Sequence, residues 1–210
     1  MLIETALDEC GLVAILRGVT PDKIIGVGDA LYEAGFRVIE IPMNSPEPLL
    51  SIEKLAKHLP QAVVGAGTVL NALDVTRIKN AGGRVIVMPH GDVEVIAEAK
   101  RHGLFCIPGI ATPTEAFAAF HAGADALKIF AAEHITPAVV KAWRAVLPKD
   151  LALLPVGGVT PENMAPYIAA GARGFGIGSA LYAPGRSAAE TGERARKFAQ
   201  AWAKAKEQAA

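Results

Sequence analysis

Two charged residues sit inside short apolar runs, where their chemistry changes most. Lys128 lies in Ala126-Leu127-Lys128-Ile129-Phe130, and Glu40 lies in Arg37-Val38-Ile39-Glu40-Ile41-Pro42. If each run is a strand covered on both faces, neither side chain has a solvent side to turn to. A buried ammonium responds by lowering its pKa. A lysine near pKa 10.4 is only ~0.04% neutral at pH 7, whereas one tuned to about 7.5 is roughly a quarter neutral, enough to act as a nucleophile. Lys128 is therefore a candidate Schiff-base amine, and Glu40 a candidate proton shuttle beside it. The plainer alternatives are a strand-end lysine reaching solvent and a structural ion pair.

A second kind of chemistry is written in glycine. Pro155-Val156-Gly157-Gly158-Val159-Thr160-Pro161 and Gly176-Ile177-Gly178-Ser179 follow two late apolar runs. Such loops let backbone N–H groups approach a phosphate, and a helix N-terminus behind them favours the anion. Any one of these glycines would also suit a plain tight turn.

The elements that must carry these residues follow a repeat. Glycine ends a helical stretch at Gly35, Gly82, Gly103, Gly123 and Gly171, each followed by a short run rich in Val, Ile, Leu or Phe. Thr20-Pro21, Ser45-Pro46, Thr112-Pro113, Thr136-Pro137 and Thr160-Pro161 read as N-caps with proline at the first helical position, and Glu115 completes a capping box with Thr112. Strands are expected at 12–17, 37–41, 62–68, 84–88, 105–108, 126–130, 151–156 and 174–178, with a short helix near 3–9 in front. About eight βα units predict a single (β/α)8 barrel over residues 1–210. An open doubly wound sheet would call for a GxGxxG after its first strand, and Leu12 to Gly18 supplies none. In a barrel, Arg17, Glu40, Thr68, Lys128, Gly157-Gly158 and Gly178-Ser179 all fall at strand ends on one mouth, with His90 just beyond the fourth strand. The last helix, near 188–206, spaces Ala195, Phe198, Ala199 and Trp202 for packing on the barrel.

Composition narrows the partners. The 210 residues are 51% hydrophobic, with 21 basic and 21 acidic side chains, so neither nucleic acid nor an anionic membrane is an expected partner. No apolar run approaches a bilayer span. Met1-Leu2-Ile3-Glu4 does not resemble a signal peptide, and Cys10 and Cys106 lack CxxC spacing, which together suit a reducing cytoplasm. Among five histidines no metal-ligand spacing occurs. His90 reads as a hydrogen-bonded loop residue.

Five stretches resemble the 2-keto-3-deoxy-6-phosphogluconate (KDPG) and 2-keto-3-deoxy-6-phosphogalactonate aldolases, of the KDPG/KHG-type class I aldolase family. They are Ile15-Leu16-Arg17-Gly18-Val19-Thr20-Pro21, Glu40-Ile41-Pro42-Met43-Asn44-Ser45-Pro46, Gly65-Ala66-Gly67-Thr68-Val69, the Lys128 run, and Val156-Gly157-Gly158-Val159-Thr160-Pro161-Glu162-Asn163. The resemblance implies Lys128 as Schiff-base lysine, Glu40 as general acid/base, Arg17 and Thr68 at the pyruvate end, and Gly157, Gly158, Gly178 and Ser179 around the phosphate. It further implies a homotrimer, a sugar-acid phosphate and pyruvate as small-molecule ligands, and no metal or organic cofactor. Asn44, where the gluconate branch usually has arginine, and Val156, where it tends to have a hydroxyl residue, resemble the galactonate branch. Ala131 departs from the proline usual in relatives. The implied reaction is retro-aldol cleavage of 2-dehydro-3-deoxy-6-phosphogalactonate; the gluconate epimer or both epimers, a phosphosugar isomerase or epimerase, and a non-catalytic sugar-phosphate-binding barrel are the alternatives.

Overall fold

Strands buried along their whole length give the architecture its shape. No residue of β1 (Leu12–Ile15), β2 (Val38–Pro42), β3 (Val63–Gly67) or β4 (Val85–Val87) is exposed, as a parallel sheet covered by helices requires. The computed structural model describes residues 3–209; Met1 and Leu2, part of the N-terminal stretch read above, and Ala210 lie outside the described residues. The further strands are β5 (Phe105–Ile107), β6 (Gly109–Ile110), β7 (Ala126–Phe130), β8 (Ala152–Val156) and β9 (Phe175–Ile177). All ladders are parallel, in the order β5-β4-β3-β2-β1-β9-β8-β7-β6. Strand then helix repeats around the ring through α1 (Ile3–Glu9), α2 (Ile24–Glu33), α3 (Pro48–His58), α4 (Leu73–Asn80), α5 (Val93–Arg101), α6 (Pro113–His121), α7 (Pro137–Arg144), α8 (Met164–Ala169) and α9 (Ala188–Ala209). This is a TIM-type barrel.

One expected strand is two. Residues 105–108 were expected to form a single fifth strand, but β5 pairs with β4 and β6 pairs with β7 across a break at Pro108. Proline has no N–H to give to a ladder. Its carbonyl still accepts from the Lys128 N–H at 2.9 Å, so the break lies where the ring closes.

The period of two along each strand decides what points inward. Val13, Val38, Val63, Val85, Ala126 and Leu154 form the inner cluster with Ala6 of α1. Two residues beyond Val38 and Ala126 stand Glu40 and Lys128, on the same inward face and nearer the C-terminal mouth. A separate, larger cluster joins the outer strand faces to the helices. In α9, Ala195, Phe198 and Trp202 are buried as expected, and Trp202 meets Phe175 edge-on at 6.1 Å. Cys10 and Cys106 are free and buried.

Three helix starts fall later than the Thr/Ser-Pro pairs suggest: α2 begins at Ile24, α3 at Pro48 and α8 at Met164. In these loops the polar residues fix the loop instead. Ser45 Oγ accepts from the Gly18 N–H at 3.0 Å. Asn163 accepts from the Thr160 N–H at 2.9 Å and donates to the Gly158 carbonyl at 2.8 Å. Thr112 and Thr136 are the caps of α6 and α7; Thr112 accepts from the Glu115 N–H, while Thr136 makes no side-chain cap bond. The Glu115 carboxylate reaches back to the Ala111 N–H at 2.7 Å, one residue before the cap itself.

Candidate active site

Every predicted site residue stands at the C-terminal end of a strand: Arg17 after β1, Glu40 in β2, Thr68 after β3, Lys128 in β7, Val156 closing β8 ahead of Gly157-Gly158, and Gly178-Ser179 after β9. Parallel strands send all of these to one face of the barrel, the face where such folds build their sites.

Lys128 and Glu40 are both buried, 5% and 1% exposed. That settles the strand-end alternative for the lysine. Burial lowers the Lys128 pKa, with the Arg17 charge acting in the same direction and Glu40 against it. The Phe130 ring, two residues along the same strand, lies 4.5 Å from the ammonium and offers it a π face. Glu40 moves the other way: burial raises its carboxyl from 4.5 to about 7, against the opposing pull of Lys128 and Arg17. Among the described residues the two form no direct ion pair, and Glu40 Oε2 is buried without a hydrogen-bond partner. An orphaned carboxylate oxygen is costly, and the geometry is not that of a structural ion pair. Gly67 makes the room: a Cβ there would stand 1.9 Å from Glu40 Oε2.

Arg17 is held by two neighbours. Its Nη1 donates to Asn44 Oδ1 at 2.6 Å and its Nη2 donates to Thr68 Oγ1 at 3.2 Å. Thr68 adopts a left-handed backbone, φ 53°, uncommon for a β-branched residue and of the kind that clusters at functional sites. Neither the Asn44 contact nor the Phe130 ring was anticipated. Asn44 was read only as a missing arginine, and the period of two would have placed Phe130 beside Lys128.

The glycine loops open beside this cluster. Gly157 and Gly158 have φ of 102° and 62°, a conformation that favours glycine. They also give room to Glu133, whose Oε2 lies 2.2 Å from where a Gly157 Cβ would stand. Among the described residues the N–H groups of Gly158 and Ser179 make no hydrogen bond, and a Cβ on Gly178 would meet nothing within 4 Å. The expected helix N-terminus is not at hand, because α8 is six residues long and starts only at Met164. Loop N–H groups are what remains for an anion. His90 uses its backbone: its carbonyl accepts from the Gly109 N–H at 3.2 Å, and its ring stands 4.0 Å from Asp92. The Phe130–Ala131 peptide is cis.

Below Lys128 the barrel is closed by the apolar inner cluster that includes Val13, Val38, Val63, Val85 and Ala126. Beside the lysine, which itself lines it, Ile15, Val87, Ile107, Leu154 and Val156 bound a cavity of about 10 Å³, room for no more than a single water. A cavity of about 580 Å³ lies elsewhere, lined by Leu7, Asp125, Asp150, Arg173 and Trp202 among others; it takes in none of the predicted site residues. A buried amine, an acid near neutrality, a guanidinium fork and free N–H groups can together bind a phosphorylated keto acid, add the amine to its carbonyl and move protons around the adduct.

Residues 3–194 match the sequence family described as KDPG and KHG aldolase. A probable 2-dehydro-3-deoxy-6-phosphogalactonate aldolase of Rhizobium meliloti (strain 1021) is 49% identical over 185 residues, 88% of this chain and 87% of that one. The 2-dehydro-3-deoxy-6-phosphogalactonate aldolase of Escherichia coli (strain K12) is 46% identical over 195 residues, 92% and 95% of the two chains. A solved structure described as native KDPGal superimposes with a TM-score of 0.92 at 45% identity, over 93% of this chain and 96% of that one. Agreement in sequence over nearly whole chains and in three dimensions over the same barrel means that the chain belongs to the KDPG and KHG aldolase family of carbon–carbon lyases.

Proposed function

We propose that this chain is a class I aldolase that cleaves 2-dehydro-3-deoxy-6-phosphogalactonate to pyruvate and D-glyceraldehyde 3-phosphate, in galactonate catabolism. The neutral Lys128 amine adds to the C2 ketone, and the carbinolamine loses water, with Glu40 supplying the proton, to give an iminium. The iminium draws the electrons of the C3–C4 bond as Glu40 takes the C4 hydroxyl proton, and the aldehyde leaves. Glu40 then returns the proton to C3 of the enamine, and water releases pyruvate and the free lysine. Arg17 and Thr68 receive the carboxylate end. Gly157, Gly158, Gly178 and Ser179 receive the phosphate.

The observation that carries this reading is the Lys128–Glu40 pair, an amine drawn down and a carboxyl drawn up toward neutrality, both buried at one mouth without bonding each other. Groups tuned apart from their ordinary values are suited to exchange protons. Incubation with pyruvate and borohydride is expected to label Lys128; no label, or a label on another lysine, overturns the assignment.

The galactonate epimer is favoured by the two relatives and by Val156, which offers no hydroxyl beside the site. Because one hydroxyl epimer is a small difference for a pocket, kcat/KM for the two epimers is the comparison that matters. At least a tenfold preference for the galactonate compound is expected, and a tenfold preference for the gluconate compound reverses the choice. The same reading takes residues 1–210 as one catalytic domain of a cytoplasmic homotrimer. Among the described residues no helix is long and apolar enough to cross a membrane.

A further inference from the structure

Arg17 is aimed before any substrate arrives. Its guanidinium has five N–H donors; one goes to Asn44 and one to Thr68. Three remain, and a carboxylate fork needs two. The residue next to Asn44 works on the same stretch: Ser45, buried, accepts from the Gly18 N–H at 3.0 Å. Asn44 and Ser45 thus hold the side chain of one residue and the backbone of the next. Their own loop is anchored, with the Met43 N–H donating to the Gly67 carbonyl at 2.8 Å and the Ser45 N–H to the Pro42 carbonyl at 2.9 Å. Thr68, directly after Gly67, presents its hydroxyl from the left-handed backbone described above.

The chemistry of residue 44 matters as much as its place. An amide oxygen accepts from the guanidinium without neutralising it. A carboxylate at the same distance would form an ion pair and weaken the arginine's pull on an incoming anion. We propose that Asn44 is a positioning residue, holding Arg17 in the orientation that receives the substrate's carboxylate while leaving its charge available. The inference rests on the aldolase reading and extends it. Asn44 acts on the substrate through Arg17, which it holds at 2.6 Å.

The test is borohydride trapping on Lys128 with two ketones, pyruvate and acetone, the second having no carboxylate. In N44A the pyruvate concentration for half-maximal labelling is expected to rise about tenfold. The value for acetone is expected to stay within twofold, with full labelling reached at saturation for both. N44D is expected to raise the pyruvate value further than N44A, because the new charge competes for Arg17. An unchanged pyruvate value in N44A, an equal rise for both ketones, or N44D indistinguishable from the unsubstituted protein each overturns the inference. Failure of the parent reading looks different: the unsubstituted protein itself would then take no label on Lys128.

Discussion

Glu40 carries the sharpest conflict at the scale of a single residue. Its carboxyl is completely buried, one oxygen has no partner, and its pKa is pushed up to about 7. The folded state therefore prefers the protonated form. Below the ordinary value of 4.5 both folded and unfolded chains hold the proton and Glu40 costs nothing through ionisation. As pH rises from 4.5 through about 7 the folded chain lags in releasing it, and stability falls by up to ~3 kcal/mol. Lys128 has the opposite sign. Its lowered pKa makes its cost complete below that value and relieves it as pH rises toward 10.5. E40Q removes the ionisation, so its stability relative to the unsubstituted protein is expected to grow by up to ~3 kcal/mol between pH 4 and pH 8 in urea unfolding. The same variant is expected to lose ~10²–10⁴-fold in kcat, together with the limb of the pH–rate profile near 7. A pH-independent stability difference would mean that Glu40 is not the group being strained.

Elements are where the sequence was most and least readable. The bounds of β7 and α1 match their expected residues, 126–130 and 3–9. The five helix-ending glycines all have positive φ, because short-range hydrophobic pattern and turn chemistry determine these features locally. The split at Pro108 and the late starts of α2, α3 and α8 were not legible. Both depend on which distant neighbour takes a given hydrogen bond: the Pro108 carbonyl serves Lys128, and the Ser45 hydroxyl serves Gly18. For the candidate site, strand-end placement was enough to bring Lys128, Glu40, Arg17 and Thr68 to one mouth of the barrel. The Arg17–Asn44 contact joins two loops, 27 residues apart, and no local pattern encodes it. Gly67 shows how an element's backbone serves the site. In G67A the new methyl would collide with the Glu40 carboxylate. A loss of ~100-fold or more in kcat is expected, with the far-ultraviolet circular dichroism spectrum unchanged; full activity would show that Glu40 does not need that place.

At the scale of the whole molecule, the exposed apolar side chains Leu50, Leu70 and Leu73 lie on α3, the loop before α4 and α4 respectively, beside strands whose ends carry Glu40 and Thr68. Apolar side chains left in water near one rim suit a surface covered by a neighbour. The expected solution mass by light scattering is about three times the 21.9 kDa of one chain; a monomer mass would remove the trimer from the proposed function. The apolar floor beneath Lys128 has its own consequence at this scale. In the proposed reaction the water that hydrolyses the Lys128 adduct therefore arrives through the mouth, by the route along which the phosphorylated aldehyde departs. In the proposed reaction the aldehyde leaves first and pyruvate second, because C3–C4 cleavage frees the aldehyde while the pyruvate carbons stay bonded to the lysine until that water arrives. A barrel closed by apolar side chains on the far side of Lys128 would thus leave that adduct a single door, shared by the incoming water and both products.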